Sequence, residues 1–193
     1  MTDDLAKRRG IETEVYQPAA DSRLLARTAV DRLADRSGLA LDVGTGSGYV
    51  AARLADGTAL SVVGCDRNPM ACRTAREAGI ETVRADLVAP FRDDAFDAVV
   101  FNPPYLPAAG MADRDDWMRT ALTGGEDGRA VVDPFVDAVG RVLAPDGVTY
   151  LLVSTLTGVD AVRERAHGAG LDTAVVAEES HPFETLVVLA VHP

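Results

Sequence analysis

The sequence contains little lysine, little cysteine and no apolar run of membrane length. Lys7 is its only lysine, and 19 basic residues face 30 acidic ones, so the net charge is -11 at pH 7. Such an excess of carboxylates disfavours a general affinity for nucleic-acid phosphates at low salt. Neither a signal peptide nor a membrane-spanning segment is evident, and we expect a cytoplasmic protein.

The two cysteines and three histidines lack the spacing of a metal site. Cys65 lies in an apolar run and Cys72 in a helical one, and no other cysteine completes a ligand set. We interpret both as small buried apolar residues. His167, His181 and His192 are equally isolated, and we expect them at the surface. The sequence therefore predicts no bound metal.

The length and composition predict one globular domain with a sizeable core. The chain has 193 residues, of which 47% are hydrophobic and 25% charged, as is usual for such domains. We expect a single domain over residues 1–193, with the polar residues 1–15 loose or dependent on a partner. The long segment Leu106–Gly128 is rich in Ala, Asp and Gly, and we interpret it as a lid over the active site.

Strand and helix patterns alternate from residue 21 onward, with Asp21 or Ser22 as the first helix N-cap. The predicted helices are Asp21–Arg36, Gly48–Ala55, Pro69–Ala78, Arg129–Leu143 and Val159–Ala169; the predicted strands are Leu39–Val43, Leu60–Cys65, Ile80–Ala85, Phe96–Phe101, Val148–Ser154, Thr173–Glu178 and Thr185–Val191. Alternation predicts an α/β fold, a mostly parallel sheet with helices on both faces. The link from Glu179 to Glu184 is too short for a crossover helix, so the last two strands should be antiparallel.

A mostly parallel, seven-stranded sheet closed by one antiparallel strand resembles the Rossmann-like fold of class I S-adenosylmethionine-dependent methyltransferases. The glycine loop supports this likeness. It runs from Asp42 to Gly48 with the spacing G-x-G-x-G, and the bulky Tyr49 follows. That departs from the dinucleotide fingerprint and disfavours NAD, while the glycines and the helix N-terminus suit a close backbone approach to a ligand.

Acidic residues follow the next two strands. Asp66 ends the second strand, where its carboxylate can accept from both ribose hydroxyls of a nucleoside, and Asp86 ends the third, where it can accept from an adenine amine. Either acid alone is typical of a surface or capping residue. Together with the glycine loop they predict a bound nucleoside. This pattern, together with the family resemblance described below, gives as predicted cofactor residues Tyr16, Pro18, Asp42, Gly44, Thr45, Gly46, Gly48, Asp66, Arg67, Asp86, Leu87 and Asn102.

The motif Asn102-Pro103-Pro104-Tyr105 directly follows the fourth strand, and we predict that it is catalytic. Two prolines stiffen the loop. The Asn102 side-chain oxygen and the Pro103 carbonyl can accept the two hydrogens of a planar NH2 group, and Tyr105 offers a flat face for stacking. A strand-ending turn is the alternative interpretation of the motif alone.

These segments resemble the HemK-type protein-glutamine methyltransferases, in the branch that modifies archaeal and eukaryotic release factors. The resemblance covers about residues 15–191 and rests on Val15-Tyr16-Gln17-Pro18 followed by Asp21-Ser22 and Leu24-Leu25, on the glycine loop, Asp66-Arg67-Asn68-Pro69, Asp86-Leu87, Asn102-Pro103-Pro104-Tyr105, Trp117, Gly124-Gly125-Glu126-Asp127-Gly128-Arg129 and Glu184-Thr185-Leu186.

The resemblance implies S-adenosyl-L-methionine as cofactor. It implies as substrate the glutamine of the Gly-Gly-Gln motif in the class-I termination factor, methylated on its amide nitrogen. Asn102 and Pro103 would hold the amide hydrogens and Tyr105 would pack on the amide plane. Tyr16, Pro18 and Asp21 could line the pocket, although a helix cap explains Asp21 equally well.

The resemblance also implies a partner, a small zinc-binding activator protein that forms a heterodimer with the catalytic chain. In the usual methyltransferase strand order, Ile80–Ala85 is the edge strand, and its free ladder could pair with another chain. The zinc would belong to the partner. The acidic, lysine-poor composition further resembles that of proteins from salt-loving archaea, and we expect such a source.

Three alternatives differ in substrate or in class. Methylation of an adenine amine in DNA or RNA needs the same geometry at nitrogen, but the acidic charge and the lack of an added recognition domain disfavour it. A lysine substrate fits less well, because the site suits a planar amide better than a tetrahedral ammonium. A non-catalytic scaffold is disfavoured because Asn102 and the glycines are intact.

Overall fold

The structure is a computed structural model and describes residues 15–105 and 124–193. Within these ranges, the helices are α1 (Ala20–Leu33), α2 (Tyr49–Gly57), α3 (Pro69–Glu77), α4 (Val132–Val142) and α5 (Val159–Gly168). The strands are β1 (Ser37–Val43), β2 (Ala59–Asp66), β3 (Glu81–Arg84), β4 (Phe96–Phe101), β5 (Leu143–Ser154), β6 (Asp172–Ser180) and β7 (Thr185–His192). The proposed lid therefore lies outside the described residues except for 124–128, and so does the N-terminal segment except for Val15.

The seven strands form one sheet in the order β3-β2-β1-β4-β5-β7-β6. Neighbouring strands are parallel except around β7, which runs antiparallel to both β5 and β6. The predicted fold class is confirmed, including the antiparallel final pair and the edge position of β3. Among the described helices, none is long and apolar enough to cross a membrane.

Both faces of the sheet are buried, because the central strands contribute apolar side chains to each. On β7, Val187, Leu189 and Val191 belong to the core beneath α4 and α5. Leu186, Val188 and Ala190 alternate with them and belong to the core beneath α1 and α2. Near-continuous apolar runs are the expected signature of strands covered on both sides, and the helices on both faces are confirmed.

The predicted N-cap is wrong. α1 begins at Ala20, and Ala19 occupies the cap position without a side-chain hydrogen bond. Asp21 lies inside the first turn and is only 3% exposed. Its carboxylate accepts hydrogen bonds from Tyr16 and Ser22, so tertiary contacts engage the residue that local sequence assigned to capping.

β5 begins five residues earlier than predicted. Leu143 pairs with Phe96, and the register then shifts so that Val148 pairs with Ala98. The Pro145-Asp146-Gly147 stretch has the composition of a turn, so the sequence did not indicate this early pairing. α4 begins three residues later than predicted, at Val132. The other boundaries differ from the predictions by up to three residues.

A pair of aromatic rings joins the sheet to α4 directly below the site. Phe101 ends β4, Phe135 lies on α4, and their ring centroids are 4.6 Å apart at an interplanar angle of 57°. Phe135 is 0% exposed. Burial and the tilted ring contact together make this pair a main anchor of α4.

We predict that Phe135→Ala lowers the free energy of unfolding by about 3–5 kcal/mol, because it removes buried apolar area and leaves a cavity. Phe183→Ala is the matched control, because Phe183 is 91% exposed; its effect should stay within about 0.5 kcal/mol. Urea denaturation of both variants measures the difference. Equal losses in the two variants would contradict the assigned packing.

Candidate cofactor and substrate site

A cavity of about 350 Å³ lies at the carboxyl ends of β1, β2 and β4. Of the predicted site residues, Tyr16, Pro18, Asp42, Gly44, Thr45, Gly46, Asp66, Arg67, Asp86, Leu87, Asn102 and Pro104 line it. Gly48, Pro103 and Tyr105 do not. The structure thus brings segments from residue 16 to residue 104 to one pocket, of a size usual for small-ligand sites.

The glycine loop needs left-handed backbone at three positions. The φ angles are 62° at Gly44, 55° at Gly46 and 81° at Gly48, values that L side chains rarely adopt. Gly48 is the N-cap of α2, and a Cβ there would lie 3.2 Å from Ala75. Gly48 therefore packs the loop against α3, whereas Gly44 and Gly46 line the cavity.

The buried carboxylate of Asp42 holds this loop in place. Its Oδ2 accepts from the Thr45 hydroxyl at 2.8 Å and from the Ala51 backbone N–H at 3.1 Å. These bonds tie the end of β1 to both the loop and α2. Burial raises the pKa of Asp42 to about 7, against the two hydrogen bonds and with a smaller contribution from Asp66.

Asp66 and Asp86 differ in environment, although both follow strands. Asp66 accepts from the Gly46 N–H at 3.0 Å and the Asn68 N–H at 2.8 Å, and burial raises its pKa. Its carboxylate therefore braces the glycine loop as well as facing the cavity. Asp86 is exposed and lies 3.6 Å from Arg67 as an ion pair. Leu87 beside it has a φ of 49°, a strained conformation of the kind found at ligand sites.

Asn102 lies where β4 ends, with its side chain directed at α1. Its Nδ2 donates to the Oγ of Ser22 at 3.2 Å. Its Oδ1 is buried and has no hydrogen-bond partner among the described residues. A buried acceptor of this kind is costly unless a ligand satisfies it.

Two tyrosines, Tyr16 and Tyr105, interact with Asp21, the residue before Ser22. The Tyr16 hydroxyl donates to Asp21 Oδ2 at 2.9 Å. Burial raises the pKa of Tyr16, with Asp21 adding to the effect. Burial also raises the pKa of Tyr105, and the charges of Asp21 and Glu184 add to it. Both phenols therefore remain protonated at physiological pH and act as hydrogen-bond donors rather than bases.

Sequence reasoning missed two supporting residues. Ser22, predicted as a possible helix N-cap and not as a site residue, lines the cavity and contacts Asn102. Gly128 has a φ of 78°, and a Cβ there would lie 2.6 Å from the Tyr105 carbonyl oxygen. The Gly-Gly-x-x-Gly-Arg segment thus packs against the Asn-Pro-Pro-Tyr loop, and its glycines were the only signal of that contact.

The donor and acceptor set fits S-adenosylmethionine. Asp66 and Asp86 line the cavity with carboxylates, which accept hydrogen bonds of the kind that hydroxyl and amine groups donate. A Cβ added at Gly46 would meet nothing closer than 3.8 Å, so the backbone there is open to a ligand. The fold and this cavity define a class I S-adenosylmethionine-dependent methyltransferase.

Comparison with known proteins places the chain in a family. The methyltransferase small domain matches residues 19–168, and the chain belongs to that family. A Methanocaldococcus jannaschii protein named as a protein N5-glutamine methyltransferase is 33% identical over 187 residues, covering 93% of this chain and 92% of its own. Human methyltransferase HEMK2 is 32% identical, with 94% and 91% covered.

A solved structure shows the same fold. A chain of the E. cuniculi Mtq2–Trm112 complex, responsible for methylation of the eRF1 translation termination factor, superposes with a TM-score of 0.78 at 31% identity. It covers 93% of this chain and 99% of that one. The chain described here is therefore an enzyme of the methyltransferase class.

The raised pKa of Asp42 gives a testable pH dependence. The native state holds this proton more tightly than the unfolded chain, whose aspartates have a pKa of about 3.9. The contribution of this proton to the free energy of unfolding is fully present below the unfolded-state pKa and is lost as the pH rises through about 7. The amide oxygen in Asp42→Asn can still accept from Thr45 and Ala51. We predict that this variant does not show the loss of stability with rising pH.

Urea denaturation between about pH 5 and pH 8 measures the effect. The wild type should lose stability relative to Asp42→Asn by up to roughly 1.4 kcal/mol per pH unit inside the titration window. Asp56→Asn, at an exposed position of α2, controls for the substitution itself. A difference between wild type and Asp42→Asn that stays constant with pH would refute the assignment.

Proposed function

We propose that this enzyme methylates the side-chain amide nitrogen of the glutamine in the Gly-Gly-Gln motif of a class-I peptide release factor. The observation that carries the proposal is the buried Oδ1 of Asn102 in the cavity wall, which has no hydrogen-bond partner in the described part of the chain. That oxygen suits a substrate nitrogen that carries hydrogens. Two of the similar proteins support the choice of substrate: the M. jannaschii relative is named as a protein N5-glutamine methyltransferase, and the E. cuniculi complex is described as responsible for eRF1 methylation.

When bound, S-adenosylmethionine supplies an electrophilic methyl group on its sulfonium. Asn102 Oδ1 and the Pro103 carbonyl would accept the two amide hydrogens and align the nitrogen for in-line displacement. The N–C bond would form as the sulfonium S–C bond breaks, S-adenosylhomocysteine would leave, and the nitrogen would lose one proton to solvent. An amide nitrogen is a weak nucleophile because its lone pair is delocalised. Both hydrogen bonds strengthen as the nitrogen gains positive character, so they favour the transition state over the ground state.

The remaining predicted residues would contact different parts of the cofactor. Asp66 would take the ribose hydroxyls, and Asp86 with Leu87 would border the adenine. Gly44 and Gly46 would approach the cofactor through their backbone, as would Thr45. Arg67 and the Tyr16–Pro18 segment would complete the walls of the pocket.

We further propose that the enzyme works as a heterodimer with a small zinc-binding activator. The E. cuniculi relative was solved in complex with Trm112. β3 lies at the sheet edge and, among the described strands, pairs only with β2, so its outer ladder is open to another strand. No His, Cys, Asp and Glu cluster in the described part of the chain could hold a metal, and the zinc would belong to the partner.

The test is mass spectrometry of an archaeal release factor incubated with this chain and S-adenosylmethionine, with and without the activator. The assay is run in molar salt, because the chain carries a net charge of -11 and self-repulsion is screened there. A mass gain of one CH2 group on the Gly-Gly-Gln peptide supports the proposal. Methylation of an adenine-containing oligonucleotide instead would favour the alternative substrate, a nucleobase amine.

We predict that Asn102→Ala lowers turnover at least about 100-fold, because the substrate nitrogen loses a positioned acceptor. Cofactor affinity, measured by calorimetry, should stay within a few-fold. Asp66→Ala is the converse variant and should weaken cofactor binding most. Normal turnover in Asn102→Ala would remove Asn102 from the mechanism.

Two matched variants test the proposed partner surface at the β3 edge. Val83 lies on the β3 edge and is 41% exposed, while Val175 lies on β6 at the opposite edge and is 43% exposed. Val83→Glu should abolish co-elution with the activator in size-exclusion chromatography, because it places a charge on the pairing edge. Val175→Glu should not affect it. Loss of the complex in Val175→Glu alone would place the interface on the other edge.

A further inference from the structure

The first turn of α1 reaches the substrate-binding asparagine. Ser22 is buried and lines the cavity, and its Oγ accepts from Asn102 Nδ2 at 3.2 Å. The two residues are 80 positions apart, so the contact depends on the tertiary fold. It engages the donor end of the Asn102 amide.

Asp21 determines the direction of this hydrogen bond. Its Oδ1 accepts from the Ser22 N–H at 2.6 Å and from the Ser22 hydroxyl at 3.3 Å. A serine hydroxyl has one hydrogen and two lone pairs. Once that hydrogen is directed to a carboxylate, which only accepts, Ser22 can offer Asn102 nothing but an acceptor. Asn102 must therefore present its NH2 group to Ser22.

The position of Asn102 Oδ1 is fixed as a consequence. With Nδ2 held by Ser22, Oδ1 is the atom left for a ligand, and it is buried without a partner among the described residues. A reversed amide would offer the NH2 group instead and oppose any ligand that donates N–H. The polarity of the site thus originates in the Asp21 carboxylate.

We propose that Ser22 is a positioning residue: with Asp21 behind it, Ser22 sets the orientation of the Asn102 amide and so selects a nitrogen that carries hydrogens. The proposal rests on the proposed function in taking Asn102 as the substrate contact. The orientation itself is a property of the free enzyme and is measurable without any substrate.

The sequence makes this orientation accessible to nuclear magnetic resonance. The chain has two asparagines, Asn68 and Asn102, and one glutamine, Gln17, so the ¹⁵N spectrum holds three side-chain NH2 pairs. In the wild type, the Asn102 hydrogen bonded to Ser22 should exchange with water more slowly than those of the exposed Gln17. Exchange as fast as in Gln17 overturns the proposal without any variant.

Ser22→Ala should shift the Asn102 pair and speed its exchange, while the Asn68 pair stays in place and reports that the variant is folded. Ser22→Thr keeps the hydroxyl and should keep the wild-type Asn102 signals. An Asn102 pair unmoved in Ser22→Ala overturns the proposal.

Turnover on the release factor gives a second measurement. Ser22→Ala should lower kcat about 10- to 100-fold with cofactor affinity within a few-fold, and Ser22→Thr should restore most of the rate. A wild-type kcat in Ser22→Ala overturns the positioning role. If the wild type gives the expected Asn102 signals but methylates no glutamine, the result contradicts the proposed function and leaves the orientation of the Asn102 amide standing.

Discussion

The buried carboxylate of Asp42 holds together the part of the molecule on which the site depends. Its hydrogen bonds to Thr45 and Ala51 join the end of β1, the glycine loop and the start of α2. Asp66 adds a second brace from β2 by accepting from Gly46. Two acidic side chains therefore shape the backbone that lines the cavity, and the burial of each raises its pKa.

The hydrophobic core and the candidate site are adjacent at the end of β4. Phe101 packs on Phe135 of α4, and a Cβ on Gly44 would lie 3.2 Å from its ring. The next residue is Asn102. A side chain in the hydrophobic core thus supports the glycine loop on one side and the Asn-Pro-Pro-Tyr loop on the other. Disturbance of this core should reach both sites at once.

Most of the fold could be predicted from the sequence, because apolar runs, helix periodicity and a short final link are local signals. The acids after β2 and β3 and the Asn-Pro-Pro-Tyr motif were found in the same way. Contacts between distant residues could not be. Ser22 and Asn102 lie 80 positions apart. The sequence left Asp21 open between a helix cap and a pocket residue, whereas its carboxylate accepts from Tyr16 and Ser22. The early start of β5 likewise depends on a pairing with Phe96 that no local pattern records.

The reversed direction of β7 determines where its two ends emerge. Leu186 pairs with Ser154 at the carboxyl end of β5, whereas Val191 pairs with Thr149 near the opposite margin of the sheet. The turn between β6 and β7 therefore lies on the same side as the cavity, and Glu184 from that turn bonds Ser154 there. Pro193, which follows β7, leaves from the far side. A fluorophore or affinity handle attached there would stand clear of the cavity, which suits surface-tethered binding experiments.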